Sequence, residues 1–125
     1  MHRNRRWHGL MLIPFLMLPA LAQAEVFTPP KAMQVSADHN ASYQMLEREI
    51  IGRDVIRVMI RRESAAAGVR YTVREIDCPK DVVRLIGDGS DAEAARQRLP
   101  NSDAWAGLFA RSINWHVMRE ACAAG

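Results

Sequence analysis

One stretch constrains the fold more than any other. Asp54 to Cys78 reads DVIRVMIRRESAAAGVRYTVREIDC. In its first half Ile56, Val58 and Ile60 fall on one face, and Val55, Arg57, Met59 and Arg61 on the other. Period-two alternation with β-branched enrichment predicts a strand with one face on a core. Ser64-Ala-Ala-Ala-Gly68 has no β-branched residue and ends in glycine, so it reads as a hairpin loop longer than the tight two-residue type.

The returning strand places Val69, Tyr71 and Val73 on the core side and Arg70, Thr72 and Arg74 outside. Continued without interruption, that pattern would bury Glu75 and Asp77, and unpaired buried carboxylates are costly. A bulge or a sharp change in exposure near Glu75, turning Ile76 and Cys78 inward, is the expectation.

Cys78 has one possible partner in the chain, Cys122. Two cysteines in a small exported protein favour one disulfide. Ser112 is placed to cap a C-terminal helix. At 100° per residue Ile113, Trp115, Val117, Met118, Ala121 and Cys122 share an apolar arc, with His116, Arg119 and Glu120 on the remaining wedge and Asn114 as the exception inside it. So short a helix is marginal alone in water, and the bridge and the sheet must hold it.

Export is read from the first residues. Arg3, Arg5 and Arg6 precede an apolar run from Leu10 to Leu18, and Ala22-Gln23-Ala24 fits cleavage after Ala24. The run is short for a membrane span, although an uncleaved anchor is the competing reading. Removing 24 of the 125 residues leaves 101, enough for one modest domain. It also removes three of the 17 basic residues, leaving 14 against 14 acidic ones. Zero net charge argues against nucleic acid, whose binding needs unbalanced positive charge. No later stretch is apolar enough to span a bilayer, so no stable membrane span is expected in the mature chain.

Residues 25–40, with Pro29-Pro30, read as an exposed lead-in, and 41–125 as the single stapled domain. A short strand is expected near Ser42–Leu46, followed by a turn through Glu47–Gly52; a helix over Ser42–Ile51 competes with it. A further strand is expected from Asp81 to Leu85 or Ile86, ended by Gly87-Asp88-Gly89-Ser90. Asp91 to Leu99 reads as a short polar helix or a loop. Trp105, Leu108 and Phe109 are expected in the core beside the C-terminal helix, and the core aromatics are taken to be Tyr71, Trp105, Phe109 and Trp115.

Few constellations carry chemistry. Two histidines, His39 and His116, remain after processing, too few for a metal site once the cysteines pair. Asp88, Ser90, Asp91 and Glu93 lack the ordered positions of a calcium loop. No cofactor is expected. Serines are plentiful, but none sits in a nucleophile-elbow context, and a Ser–His–acid assembly is left to the geometry. The candidate binding face is an arginine strip, Arg57, Arg61, Arg70 and Arg74, imagined as side by side on adjacent strands and suited to a carboxylate-bearing partner. A solvated, counter-charged face is its alternative.

The Tyr43 region and following turn, the strand Asp54–Arg62, and the strand Val69–Asp77 ending in Cys78 form a pattern with Gly87–Gly89, Trp105, Ser112-Ile113 and Ala121-Cys122. Together they resemble the surface-adhesin E family of small exported bacterial proteins. The resemblance implies an antiparallel sheet packed on a C-terminal helix fastened by a disulfide. It implies a structural role for Cys78, Cys122 and Trp105, and some members are associated with adhesion or host-protein binding.

The sequence therefore predicts an α+β domain, a small twisted antiparallel sheet of three or four strands with a C-terminal helix tied by one disulfide. The functional expectation is a non-catalytic periplasmic or secreted envelope protein that binds an envelope or extracellular protein or a surface component. An inhibitor or accessory subunit of an envelope complex, and a small secreted hydrolase, are the alternatives.

Overall fold

The computed structural model describes residues 24–123. The expected leader therefore lies outside the described residues, except for Ala24 at its end. Six strands run in sequence order as an antiparallel meander: β1 (Ala24–Met33), β2 (Ala41–Ile50), β3 (Val55–Ser64), β4 (Gly68–Asp77), β5 (Val82–Gly89) and β6 (Ala106–Gly107). A four-residue helix α1 (Ala92–Ala95) lies between β5 and β6, and helix α2 (Ile113–Ala123) ends the described chain.

The hairpin predicted from sequence is the centre of the sheet. β3 and β4 pair without interruption from Val55↔Asp77 to Ser64↔Gly68, around Ala65–Ala67. Gly68 supplies φ +70, which glycine adopts without the steric cost a Cβ would add. The Ser64 hydroxyl accepts from the Ala67 N–H at 3.0 Å, closing the turn.

The β3–β4 pair has no bulge near Glu75; the irregularity lies in the β4–β5 pair, between Val73 and Arg74. Ile76 and Cys78 reach the α2 side because β4 is in plain alternation opposite Ile56. It follows that Val69, Tyr71 and Val73 lie on the opposite face from Ile56, Val58 and Ile60. The mistaken premise was that only one face is covered. Both are, with two apolar clusters on opposite sides of the sheet.

On one face α2 brings Val117 and Ala121 onto Met33, Tyr43, Met45, Ile56, Val58, Ile60, Ile76 and Val83. Burying each such aliphatic side chain stabilises by about 1.5–3 kcal/mol. Ser112 caps the helix, accepting from the Trp115 N–H at 3.2 Å. Cys78–Cys122 ties its last turn to the end of β4, across 44 residues of chain. The buried Arg48 adds a third restraint by donating Nε to the Ala121 carbonyl at 2.8 Å. A cation on the carbonyls of a helix's last turn meets both an orphan acceptor and the negative end of the dipole. Asn114, the polar exception in the apolar arc, accepts from Arg74 Nε at 2.8 Å.

The other face is narrower: Met59, Val73, Ile86 and Ala95 are buried, with Leu46, Tyr71 and Ala92 at their margin. Asp91 caps α1 by accepting from the Ala94 N–H at 2.8 Å. α1 sits directly on β5, where a Cβ built on Gly87 would lie 1.7 Å from the Ala95 carbonyl oxygen. Gly87 and Gly89 thus belong to β5, which runs to Gly89 and not to the expected end at Leu85 or Ile86.

Two further expectations are revised. The segment read as a lead-in is mainly the edge strand β1, exposed along most of its length, with its register interrupted between Val26 and Lys31 around Pro29-Pro30. Prolines, a bulge and a lysine are ordinary ways of blunting an edge. β2 continues to Ile50 through a register shift between Met45 and Glu47, so neither the turn nor the helix forms there.

Candidate binding cleft

The register places four charged residues in one row across the second face. Glu49 on β2 faces Arg57 on β3, Arg57 faces Glu75 on β4, and Glu75 faces Arg84 on β5. The signs alternate, as cross-strand pairing favours. Glu75 is the centre: its side chain is 1 % exposed. Arg57 donates Nε and Nη2 to Oε2 at 3.0 and 2.6 Å. Arg84 brings Nε and Nη2 to Oε1 at 2.8 and 2.7 Å. Burial, the largest single influence, raises the Glu75 pKa; the hydrogen bonds from Arg57 and Arg84 together outweigh it and leave the carboxyl below its ordinary value. The row ends with the Arg84 guanidinium 4.2 Å from the Trp105 ring centroid.

The neighbouring row is apolar apart from Glu47 at its β2 end. Glu47, Met59, Val73 and Gly87 are successive cross-strand partners. Arg96, one residue beyond the Ala95 that rests on Gly87, reaches back over this row to Glu47. The contact is bidentate, with Nη1 to Oε2 at 2.8 Å. The hydrogen bond from Arg96 holds the Glu47 carboxyl below its ordinary pKa, and the same bond raises that of Arg96. Between this strap and the charged row lies a cleft of about 290 Å³. Met59, Val73 and Ile86 line it together with Glu47, Glu49, Arg57, Arg96 and Arg98, and with Ala24, the last residue of the expected leader. Arg98 is shared with the exposed Asp103 at 2.8 Å.

A second, more open depression of about 750 Å³ lies on the α2 side, where Ser36, His39, Tyr43, Trp115, His116 and Glu120 are among its lining residues. Here the Ser36 hydroxyl is 3.1 Å from His116 Nε2. Nearby, Asp38 accepts from Tyr43 Oη at 2.6 Å and from Arg62 Nε at 2.8 Å. The Arg62 and then the Tyr43 hydrogen bonds hold the Asp38 pKa down; burial, then Asp38, raise that of Tyr43. Among the described residues no carboxylate hydrogen-bonds to the other nitrogen of His116, and no group of three or more His, Cys, Asp or Glu side chains is arranged to hold a metal.

The arginines expected to form one strip are divided between the faces. Arg57 and Arg61 share the face of Met59, whereas Arg70 and Arg74 lie on the α2 side, opposite Arg62 and Val58. Arg61 pairs with Glu63 at 3.0 Å and Arg70 with Asp88 at 2.7 Å. Arg74 sits against Thr72 and Asn114, and burial lowers its pKa. The aromatic expectations also change. Tyr71 packs at the margin of the second cluster, but Trp105 is 38 % and Phe109 81 % exposed, and Trp115 is half-buried, edge-on to His116 and beneath Arg119. Leu108, not Phe109, turns toward the α2 core. Tyr43, by contrast, is fully part of the α2-side core.

The chain is thus an antiparallel six-stranded sheet with a disulfide-fastened C-terminal helix, carrying a small ion-paired cleft on the face opposite that helix. No family model matches it, and neither a curated protein nor a solved structure matches it. Among the described residues no helix is long and apolar enough to cross a membrane.

Proposed function

We propose that the protein is a non-catalytic component of the cell envelope, exported through a cleaved signal peptide, that binds a protein or a surface component. One observation carries the binding reading. At the β5–β6 end of the sheet Trp105 and Phe109 are exposed, and Arg84 is stacked on Trp105. An exposed tryptophan with an arginine stacked on it combines two of the residue types enriched at interface hot spots. The pairing of the chain's two cysteines supports an oxidising compartment, and an envelope role is what the resemblance to the surface-adhesin E family would imply. An inhibitor or accessory subunit would be a special case of the same reading.

The test compares proteins captured from envelope extract by the oxidised protein and by a Trp105→Ala/Phe109→Ser variant with an unchanged melting temperature. A partner held by the first and lost by the second supports the proposal. Identical captures, or none, refute it.

The Ser36–His116 contact favours a second reading, a small hydrolase with Ser36 as nucleophile and His116 as its base. Labelling by a fluorophosphonate probe, lost in Ser36→Ala, would support it; no labelling of the oxidised protein would exclude a probe-reactive serine.

A further inference from the structure

The cleft on the α1 face has features beyond those needed to close a small core. Three guanidinium groups, from Arg57, Arg96 and Arg98, line it against two carboxylates, from Glu47 and Glu49. Its floor is aliphatic, Met59, Val73 and Ile86 being 2–5 % exposed beneath the strap, so that an alkyl chain reaches them as the strap opens. Its roof is the Arg96–Glu47 strap, whose side chains are 50 % and 30 % exposed. Exchanging one carboxylate for another on Arg96 conserves the charge-assisted bidentate pair, so the exchange itself costs little. At ~30 Å³ for each water-sized unit, a 290 Å³ space takes about ten non-hydrogen atoms.

We propose that this cleft binds a medium-chain carboxylate, with its alkyl chain on Met59, Val73 and Ile86 and its head group replacing Glu47 on Arg96. Arg96 favours a carboxylate because its planar fork takes two oxygens at once, as it already does with Glu47. Arg57 stands at the other wall, 39 % exposed and held from beneath by Glu75. It adds positive potential without leaving the charged row. Glu47 is then an internal competitor: it occupies the head-group site when the ligand is absent and moves to solvent when the ligand binds. Octanoate, with about ten non-hydrogen atoms, matches the space. This inference concerns a small ligand and the strap, and it does not depend on a partner at the Trp105–Phe109 surface.

The strap gives an experiment with effects of opposite sign. Sodium octanoate, 1-octanol and sodium acetate are titrated calorimetrically into the oxidised protein obtained from the full chain, while the methyl resonances of Met59 and Val73 are followed. Octanoate is expected to bind at least about tenfold more tightly than the alcohol or acetate and to shift both methyl resonances. Arg96→Gln should weaken octanoate about tenfold or more. Glu47→Gln should tighten it about fivefold, because a competitor that lowers the competent fraction has been removed. A loosened fold could imitate the first effect but not the second. No octanoate binding up to about 10 mM, a range that reaches weak millimolar affinities, would overturn the proposal. So would equal affinities in wild type, Arg96→Gln and Glu47→Gln.

Discussion

Replacing Glu75 with glutamine leaves the size of the side chain almost unchanged and removes the anion between Arg57 and Arg84. In the native protein Glu75 carries four close guanidinium contacts at 2.6 to 3.0 Å, with its side chain 1 % exposed. Removing one member of a buried charge pair costs about 3–5 kcal/mol, because the remaining charge is left uncompensated. Arg57 and Arg84 keep 39 % and 21 % of their side-chain exposure, and water there offsets part of that loss. The expected loss for Glu75→Gln is therefore about 2–4 kcal/mol at neutral pH, a large share of a small domain's stability. Urea unfolding followed by tryptophan fluorescence measures it, provided the slope is unchanged. The double variant Glu75→Met/Arg84→Met should come within about 1 kcal/mol of wild type, since well-packed apolar replacements of buried ion pairs are often neutral, and Arg57 would retain Glu49. The native Glu75 pKa is depressed, so its stabilisation is present above the unfolded carboxylate value, about 4.3, and is lost as pH falls through the lower folded value. The gap between wild type and Glu75→Gln must narrow on acidification below about pH 4. A loss under about 0.5 kcal/mol at pH 7, within the range of an ordinary surface change, would refute the central role given to this carboxylate.

Three other perturbations act on separate restraints. Replacing Cys78 and Cys122 with serine should cost about 4 kcal/mol on the chain-entropy estimate for a 44-residue separation, and reduction of the native protein should lower the melting temperature; an unchanged temperature would contradict it. Gly87→Ala puts a methyl group into the Ala95 carbonyl and should lift α1, read as faster hydrogen exchange at the Ala95 and Arg96 amides while the β3–β4 amides stay protected. Arg48→Met should cost about 1–2 kcal/mol by leaving the Ala121 carbonyl without its donor, measured by urea unfolding.

The β3–β4 hairpin, the capped final helix and the Cys78–Cys122 bridge were legible because each rests on local pattern or on a count with one solution. The assignment of faces was not. Period two in β4 fixes which residues share a side, but it does not say that a second cluster covers the other side. The helix doing so has four residues and packs through Gly87 and Gly89, which in sequence look like the end of a strand. Glu75 was flagged as a carboxylate at an awkward position, and burial is where the structure places it. What the sequence could not supply was its partners. Arg57 and Arg84 lie 18 and 9 residues away and become neighbours only through register, which the unseen interruption between Val73 and Arg74 helps to set. The exposure of Trp105 and Phe109 was missed for a related reason. Aromatic content signals a core only when something packs over it, and β6 is two residues long.

The two faces of the sheet are held by different physics, and this bears on where a ligand can act. On the α2 side the helix is restrained by apolar packing, a covalent bridge and the Arg48 contact to its last turn, so displacing it would expose the larger core. On the α1 side the roof over Met59 and Val73 includes an exchangeable ion pair, while the charged row beside it is fixed by the buried Glu75. An incoming carboxylate can replace Glu47 on Arg96 without leaving a cation unpaired, and the β3–β4 pairing beneath need not shift. The same substitution at Glu75 would require removing a carboxylate bound by two arginines from the protein interior. Ligand exchange is therefore expected at the strap and not along the row, and the opposite effects of Arg96→Gln and Glu47→Gln on octanoate binding follow from that difference.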